Sequence, residues 1–219
     1  MKKGKLKDML SYGVGAVGLD LSYGLFYSYL AKYLTDILHL NKKFLLFLTP
    51  VARIWDGFND PMMGTIVDNT NTKMGKYRPW ILRGSILNAV VLVFLFSNPF
   101  KLSGIALCAY VALMYVGWGM TNTLADIPYW SMVPSFTSDP KERSLISTLA
   151  RMFSGLGQGI VSLGAPILMS AVSLTTSLDP DSGETTKVFD QRSFFICALV
   201  CAACLVFFSS LSVATTKET

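Results

Sequence analysis

Three charged residues in this chain are spaced for joint chemistry. Arg53, Asp56 and Asp60 lie three and four positions apart, so on a helix they share one face. Two carboxylates one turn apart repel each other, and a cation between them relieves the repulsion. Asn59 adds an amide oxygen beside them, and Thr123 and Asp126 offer a hydroxyl and another carboxylate further along the chain. These are hard oxygen ligands, the kind a small alkali cation accepts. A plain Arg53–Asp56 ion pair that helps hold helices together is the structural alternative, but such a pair has no need of the second acid.

A second constellation surrounds Asp20, Asp126 and Arg151. Trp130 lies four residues beyond Asp126 and therefore on the same helical face, while Tyr23 and Tyr27 follow Asp20. An aromatic ring beside carboxylates and a guanidinium suits a sugar, whose C–H faces stack on the ring while its hydroxyls find charged partners. A single Trp in an apolar segment is otherwise an interface anchor or a packing residue. Asp20, Asp56, Asp60 and Asp126 against Arg53 and Arg151 leave an excess of two negative charges. Protons, a bound cation or bases from elsewhere must offset it.

The elements that carry these residues are apolar. The 219 residues are 52% hydrophobic and only 15% charged, with a mean hydropathy of +0.46. Soluble domains carry about 25% charged residues, so the composition argues against a water-soluble enzyme. Ser193 to Ala214 and Gly104 to Ala125 are each 22 residues without an ionisable Asp, Glu, Lys, Arg or His, and about 20 apolar residues cross a bilayer core. The fold class expected is an all-α membrane protein, a single transmembrane bundle of six helices over 1–219. Its spans are expected at 9–38, 44–68, 80–99, 104–134, 144–174 and 192–214. A charge at the middle of such a span costs about 2.5–3.5 kcal/mol, which is why the ionisable residues above point to function.

Connections are short except 175–191, whose Asp179, Pro180, Asp181, Gly183 and Glu184 require water. With the N-terminus inside, the cytoplasmic segments hold ten basic residues (Lys2, Lys3, Lys5, Lys7, Lys73, Lys76, Arg78, Lys141, Arg143, Lys217) against five outside (Lys42, Lys43, Lys101, Lys187, Arg192). This places both termini in the cytoplasm. The basic start reads as the lead of the first helix, since no small-residue cleavage site follows it. The net charge of +5 reports membrane orientation, and no nucleic-acid partner is implied. Cys108, Cys197, Cys201 and Cys204 lie in apolar stretches and read as small helix residues rather than as zinc or redox ligands. His39 is alone near an outer loop. Gly155 and Gly159 form a GxxxG, expected to let two helices approach closely. Pro61, Pro128 and Pro134 interrupt helix hydrogen bonding, which a neighbouring helix or a cavity must re-satisfy.

Three stretches resemble the glycoside-pentoside-hexuronide:cation symporter family: VARIWDGFNDPMMGTIVDNTNTKMGKYRPWIL (51–82), WGMTNTLADIPYWSMVP (118–134) and YGVGAVGLDLSYG (12–24). Their order and spacing agree with that family's pattern. The resemblance is to the first half of twelve-helix major facilitator proteins, which are built from two six-helix bundles. It implies that Asp56, Asn59, Asp60 and Thr123 are cation-site residues and that Asp20, Asp126, Trp130 and Arg151 are sugar-site residues. The chain departs from the melibiose permease-like pattern at Leu19, where that pattern has a Lys, and at Asn122, where it has a Tyr.

The resemblance implies sodium-coupled symport of a sugar or glycoside across the cytoplasmic membrane, with lithium or a proton as alternative ions and sodium held at Asp56 and Asp60. No cofactor and no catalytic residue are expected beyond the co-transported ion. The partners implied are the sugar, the monovalent cation, the lipid bilayer, and either a second half or a second copy to complete the pathway. The chain stops about where the family's central cytoplasmic loop begins, so a fragment, a split transporter and a homodimer are the options. Two other readings are a carrier of a lipid or other amphiphile on the same scaffold, and a non-transporting membrane subunit or truncated remnant.

Overall fold

The uncharged runs become long helices. The structure is a computed structural model describing residues 3–178 and 185–216. Expectations resting on Lys2, on Asp179, Pro180, Asp181, Gly183 and Glu184, and on Lys217 lie outside the described residues.

The first helix, α1 (Lys3–Lys32), begins before its apolar stretch, because nothing in the basic lead breaks a helix, and continues into a π-helical turn at Tyr33–Ile37. Then come α2 (Lys42–Asp68), α3 (Arg78–Leu95), α4 (Gly104–Ser131), the single turn α5 (Val133–Phe136), α6 (Pro140–Val172) and α7 (Gln191–Thr215). By length and composition Arg78–Leu95, Gly104–Phe136, Pro140–Val172 and Gln191–Thr215 can each cross a bilayer. The first two helices are long enough, but their charged residues lower their hydropathy.

Local sequence explains the helix ends. The Asp139 side chain accepts a hydrogen bond from the backbone N–H of Lys141, and Pro140 occupies the first turn of α6, where its missing N–H costs nothing. Asp190 and Ser193 form a reciprocal capping box at α7. After Ser131 the chain turns before Pro134, which cannot donate to the carbonyl one turn back. The third helix ends at Leu95, short of the expected 99. There Ser97-Asn98-Pro99 form a turn, which the Asn98 side chain closes through bonds of 2.9 Å to the N–H and the carbonyl of Leu102. The 175–191 connection contains a short antiparallel pair, β1 (Thr176–Leu178) with β2 (Thr185–Lys187).

α1 lies centrally, packed against α6 and α7, while α3 packs on α4 and α7, and α2 leans on α4. The most specific join of α1 to α4 is a clasp of two fully buried tyrosines. Tyr12 donates its hydroxyl to the Tyr129 carbonyl (2.6 Å), Tyr129 donates to the Tyr12 carbonyl (2.5 Å), and the rings stack 4.3 Å apart at 7°. A second buried join ties three helices. Ser22 donates to Asn88, Asn88 donates to the Trp118 carbonyl and to Thr121, and Trp118 stacks on Phe26 at 3.5 Å.

The expected GxxxG contact is corrected by the structure. Among the described residues, a Cβ at Gly155 or Gly159 would meet nothing within 4 Å, whereas one at Gly157 would fall 2.7 Å from the Val17 carbonyl oxygen. Gly157 is two residues out of phase with that pair, on the opposite side of the helix, and it is this side that faces α1. The outward flanks of α2 and α6 remain apolar and exposed, at Phe47, Ile54 and Phe58 and at Leu156, Leu163 and Ile167.

Candidate functional site

α2 presents its acidic turn toward α4. The stripe Leu48, Ala52, Asn59, Met63 and Val67 is buried, and Asp56 and Asp60 flank it on the open side. Thr123 of α4 donates its hydroxyl to Asp60 at 3.1 Å. Gly119, one turn earlier on α4, leaves room for Asp56, since a Cβ there would lie 3.2 Å from the Asp56 Oδ1. Asp56 is otherwise paired with Arg53 at 3.5 Å, a long contact with the arginine side chain 53% exposed. Arg53 is drawn to α1 as well, donating to the Tyr27 hydroxyl at 2.5 Å and lying over that ring. The ion pair considered as the structural alternative is therefore present, but it is loose and shared. It leaves the second carboxylate, Asp60, with only a hydroxyl donor among the described residues.

Asn59 is drawn into the buried stripe at 5% exposure, and its amide nitrogen has no hydrogen-bond partner among the described residues. An orphan buried amide beside two carboxylates is costly. Turning the amide presents its oxygen instead. Two carboxylates, a turned amide and a hydroxyl offer oxygen ligands, and with Arg53 beside them the group carries one net negative charge, which suits a monovalent ion. No group of three His, Cys, Asp or Glu that would hold a metal ion occurs among the described residues.

The other constellation gathers where α1, α4 and α6 meet. Trp130 donates its indole N–H to Asp126 at 3.0 Å, and Arg151 of α6 stacks over the Trp130 ring at 5.0 Å. Asp20 on α1 accepts a hydrogen bond from the Gln158 side chain at 3.1 Å. Asp126 lies within electrostatic range of Asp20, Asp60 and Arg151, so the two constellations form one continuous charged region. α4 carries members of both: Thr123 faces Asp60, and Asp126 and Trp130 face α1 and α6.

The structure thus brings together Asp56, Asp60 and Thr123 in one group and Asp20, Asp126, Trp130 and Arg151 in another. Asn59 lies beside the first group without a bond to it. Asp126 pairs with Trp130 rather than with Thr123. Sequence reasoning missed Gly119, Gln158 and the role of Tyr27. Gln158 carried a findable signal, since Arg151, Ser154 and Gln158 repeat the three-and-four spacing of Arg53, Asp56 and Asp60.

Residues 11–219 match the model of the family described as MFS/sugar transport protein. The raffinose carrier protein of Pediococcus pentosaceus is 32% identical over 209 residues, covering 90% of this chain and 31% of that protein. The isoprimeverose transporter of Lactiplantibacillus pentosus is 32% identical over 212 residues, covering 96% of this chain and 42% of that protein. The lactose permease of Leuconostoc lactis is 30% identical over 178 residues, covering 75% of this chain and 28% of that protein. The chain spans less than half the length of each of these relatives.

Proposed function

This chain belongs to the MFS/sugar transport protein family, in its glycoside-pentoside-hexuronide branch, and we propose that it forms one wall of a cation-coupled sugar symporter. The proposal takes α1 to α4, α6 and α7 as the six spans of the first bundle of such a transporter, in the cytoplasmic membrane with both termini inside. A second bundle supplies the opposite wall. Arg53, Asp60 and Arg151 are exposed on this bundle, and charges at membrane depth face protein or a watery cavity rather than lipid, which supports that arrangement.

Sodium is held by Asp56 and Asp60, with Thr123 and the Asn59 amide completing its oxygen shell. The sugar stacks on Trp130 and hydrogen-bonds Asp20, Asp126 and Arg151. The single observation that carries this reading is the placement of Thr123 on Asp60 and of Trp130 on Asp126 by the same helix, seven residues apart. An ion that draws α2 onto α4 steadies the helix that presents Asp126 and Trp130 to the sugar. Coupling is then a reciprocal gain in affinity, about 1–3 kcal/mol in proteins generally. Alternating access follows from one bundle rocking against the other around a midplane site.

The test is binding of para-nitrophenyl α-D-galactoside to the purified chain in lipid nanodiscs, with sodium varied at constant ionic strength. The reading expects sodium to strengthen binding and Asp60→Cys to abolish that strengthening. Binding that persists unchanged without sodium removes the cation assignment. A folded chain that binds no glycoside at all favours a non-transporting membrane subunit.

A further inference from the structure

We propose that Gln158 is a specificity-determining residue of the sugar site, and that with Asp20 and Asp126 it selects an uncharged glycoside ring over a hexuronide. The inference rests on the sugar-site reading above and names the substrate class for that site.

The first observation is how α6 reaches Asp20. Gly157 allows the backbones of α1 and α6 to touch, with a Cβ there only 3.2 Å from the Asp20 Cβ. The next residue, Gln158, is thereby brought to the carboxylate, and its amide nitrogen lies 3.1 Å from one Asp20 oxygen. Ser154 and Arg151, on the same face of α6, stand near the same carboxylate. At the position where the family's melibiose permease-like pattern supplies a lysine beside this acid, the chain has Leu19, which is buried at 6% exposure and carries no charge. The N–H donor that α6 brings to Asp20 is therefore a neutral amide, with Arg151 the cation nearby.

The second observation is the matching state of Asp126, one of whose oxygens is occupied by the Trp130 indole N–H. Each carboxylate is thus bonded by a neutral N–H donor, Gln158 on Asp20 and Trp130 on Asp126, and an ionised carboxylate, with about four lone-pair sites, can still accept a hydroxyl. A pair of oriented acceptors is what a polyol ring uses, since each hydroxyl donates one hydrogen bond. The Gln158 amide also keeps its carbonyl oxygen, a further acceptor for a ring hydroxyl. Arg151 lies over Trp130 as the single cation of the group.

Counting charges decides the class. Asp20 and Asp126 against Arg151 leave the sugar group with one net negative charge. The neighbouring Arg53, Asp56 and Asp60 leave another, before a cation binds. A uronate carboxylate entering here meets two carboxylates and shares a single guanidinium that both already use. Placing like charges together in a desolvated contact costs several kcal/mol. A ring bearing CH2OH at the same position meets acceptors only.

The experiment uses matched pairs that differ only at that carbon: para-nitrophenyl β-D-glucoside against the β-D-glucuronide, and the β-D-galactoside against the β-D-galacturonide. Binding is measured to the whole chain in nanodiscs with saturating sodium. The proposal expects the neutral member of a pair to bind roughly tenfold or more tightly than the uronide. It expects Gln158→Ala to weaken neutral binding roughly 2- to 10-fold, the loss of one neutral hydrogen bond from a ring hydroxyl to the amide oxygen, with sodium affinity unchanged. Gln158→Lys, which supplies a second cation beside Asp20, narrows the gap between neutral and uronide ligands. Gln158 is exposed, so these variants keep the fold. Equal binding of the two members of a pair overturns the proposal, as does neutral binding indifferent to Gln158→Ala. In both cases the sugar-site reading survives. Failure of every neutral glycoside to bind the wild-type chain overturns both.

Discussion

Three glycines on α6 separate a helix contact from mere helix propensity. A Cβ added at Gly157 falls 2.7 Å from the Val17 carbonyl oxygen and 3.2 Å from both the Val17 Cα and the Asp20 Cβ. Carbon–oxygen contacts settle at about 3.3–3.6 Å, so Gly157→Ala must part α1 and α6 by roughly 0.6 Å. Forcing a methyl into a packed contact costs about 1–3 kcal/mol, while replacing a helical glycine by alanine returns about 0.8–1.0 kcal/mol. The net expected at Gly157 runs from near zero to about 2 kcal/mol of destabilisation. At Gly155 and Gly159 nothing lies within 4 Å, so alanine there brings only the gain, up to about 1 kcal/mol each. Thermal unfolding of the three variants in one detergent, followed by circular dichroism, checks the order. Binding of para-nitrophenyl α-D-galactoside in parallel is expected to weaken only in Gly157→Ala, because Asp20 moves away from α6. Sodium affinity is expected to hold, since α2 and the Thr123 turn of α4 are untouched. A Gly157→Ala variant that melts as high as its two neighbours refutes the contact and the placement of Asp20 built on it.

Other perturbations reach the remaining parts of the account. Thr123→Val removes the hydroxyl on Asp60 and is expected to weaken sodium roughly 2- to 10-fold while leaving the sodium-saturated glycoside affinity within about twofold, read by titrating each ligand in turn. Tyr12→Phe and Tyr129→Phe each keep the ring stack and lose one hydroxyl bond across α1 and α4. Each is expected to lower stability by about 0.5–1.5 kcal/mol, and no change in the melting point would contradict the clasp. Asp190 is pushed up by burial, but the backbone N–H groups of Ser193 and Leu174 and the hydroxyls of Ser193 and Thr175 outweigh this and hold its carboxyl below the ordinary value. A depressed folded value contributes stability above the ordinary aspartate value of about 3.9, and that stability is lost as pH falls through the folded value. Asp190→Ala is therefore expected to cost about 0.5–2 kcal/mol at neutral pH, with wild type and variant converging in strong acid. A difference that grows on acidification would contradict the cap.

The helices α4 and α7 were legible because 22-residue stretches free of ionisable side chains admit little else in a protein this apolar. The acidic turn of α2 was legible because the spacing of Arg53, Asp56 and Asp60 already fixes their shared face. Trp130 and Asp126 met as their four-residue separation requires. What escaped the sequence was the phase of one helix against another. Gly155 and Gly159 carry a recognisable motif, yet α6 turns Gly157 to α1, because the mate is chosen by every side chain along the contact rather than by two glycines. The tyrosine clasp joins residues 117 apart, and no local pattern announces such a pair. The spacing of Arg151, Ser154 and Gln158 marks one polar face of α6, but which acid lies opposite that face is a tertiary fact that the spacing does not hold. The β-pair near residue 176 was hidden by its length, three residues a strand.

The claim on which the account rests is that the acidic turn of α2 takes an ion whose binding is felt by the sugar. Calorimetric titration of sodium into the purified chain, with and without saturating para-nitrophenyl α-D-galactoside, measures this directly, and the converse titration closes the cycle. The account predicts that glycoside raises sodium affinity by the same factor by which sodium raises glycoside affinity, and that both factors fall to one in Asp60→Asn. Sodium heats that are identical with and without glycoside, or a factor that survives Asp60→Asn, would contradict it.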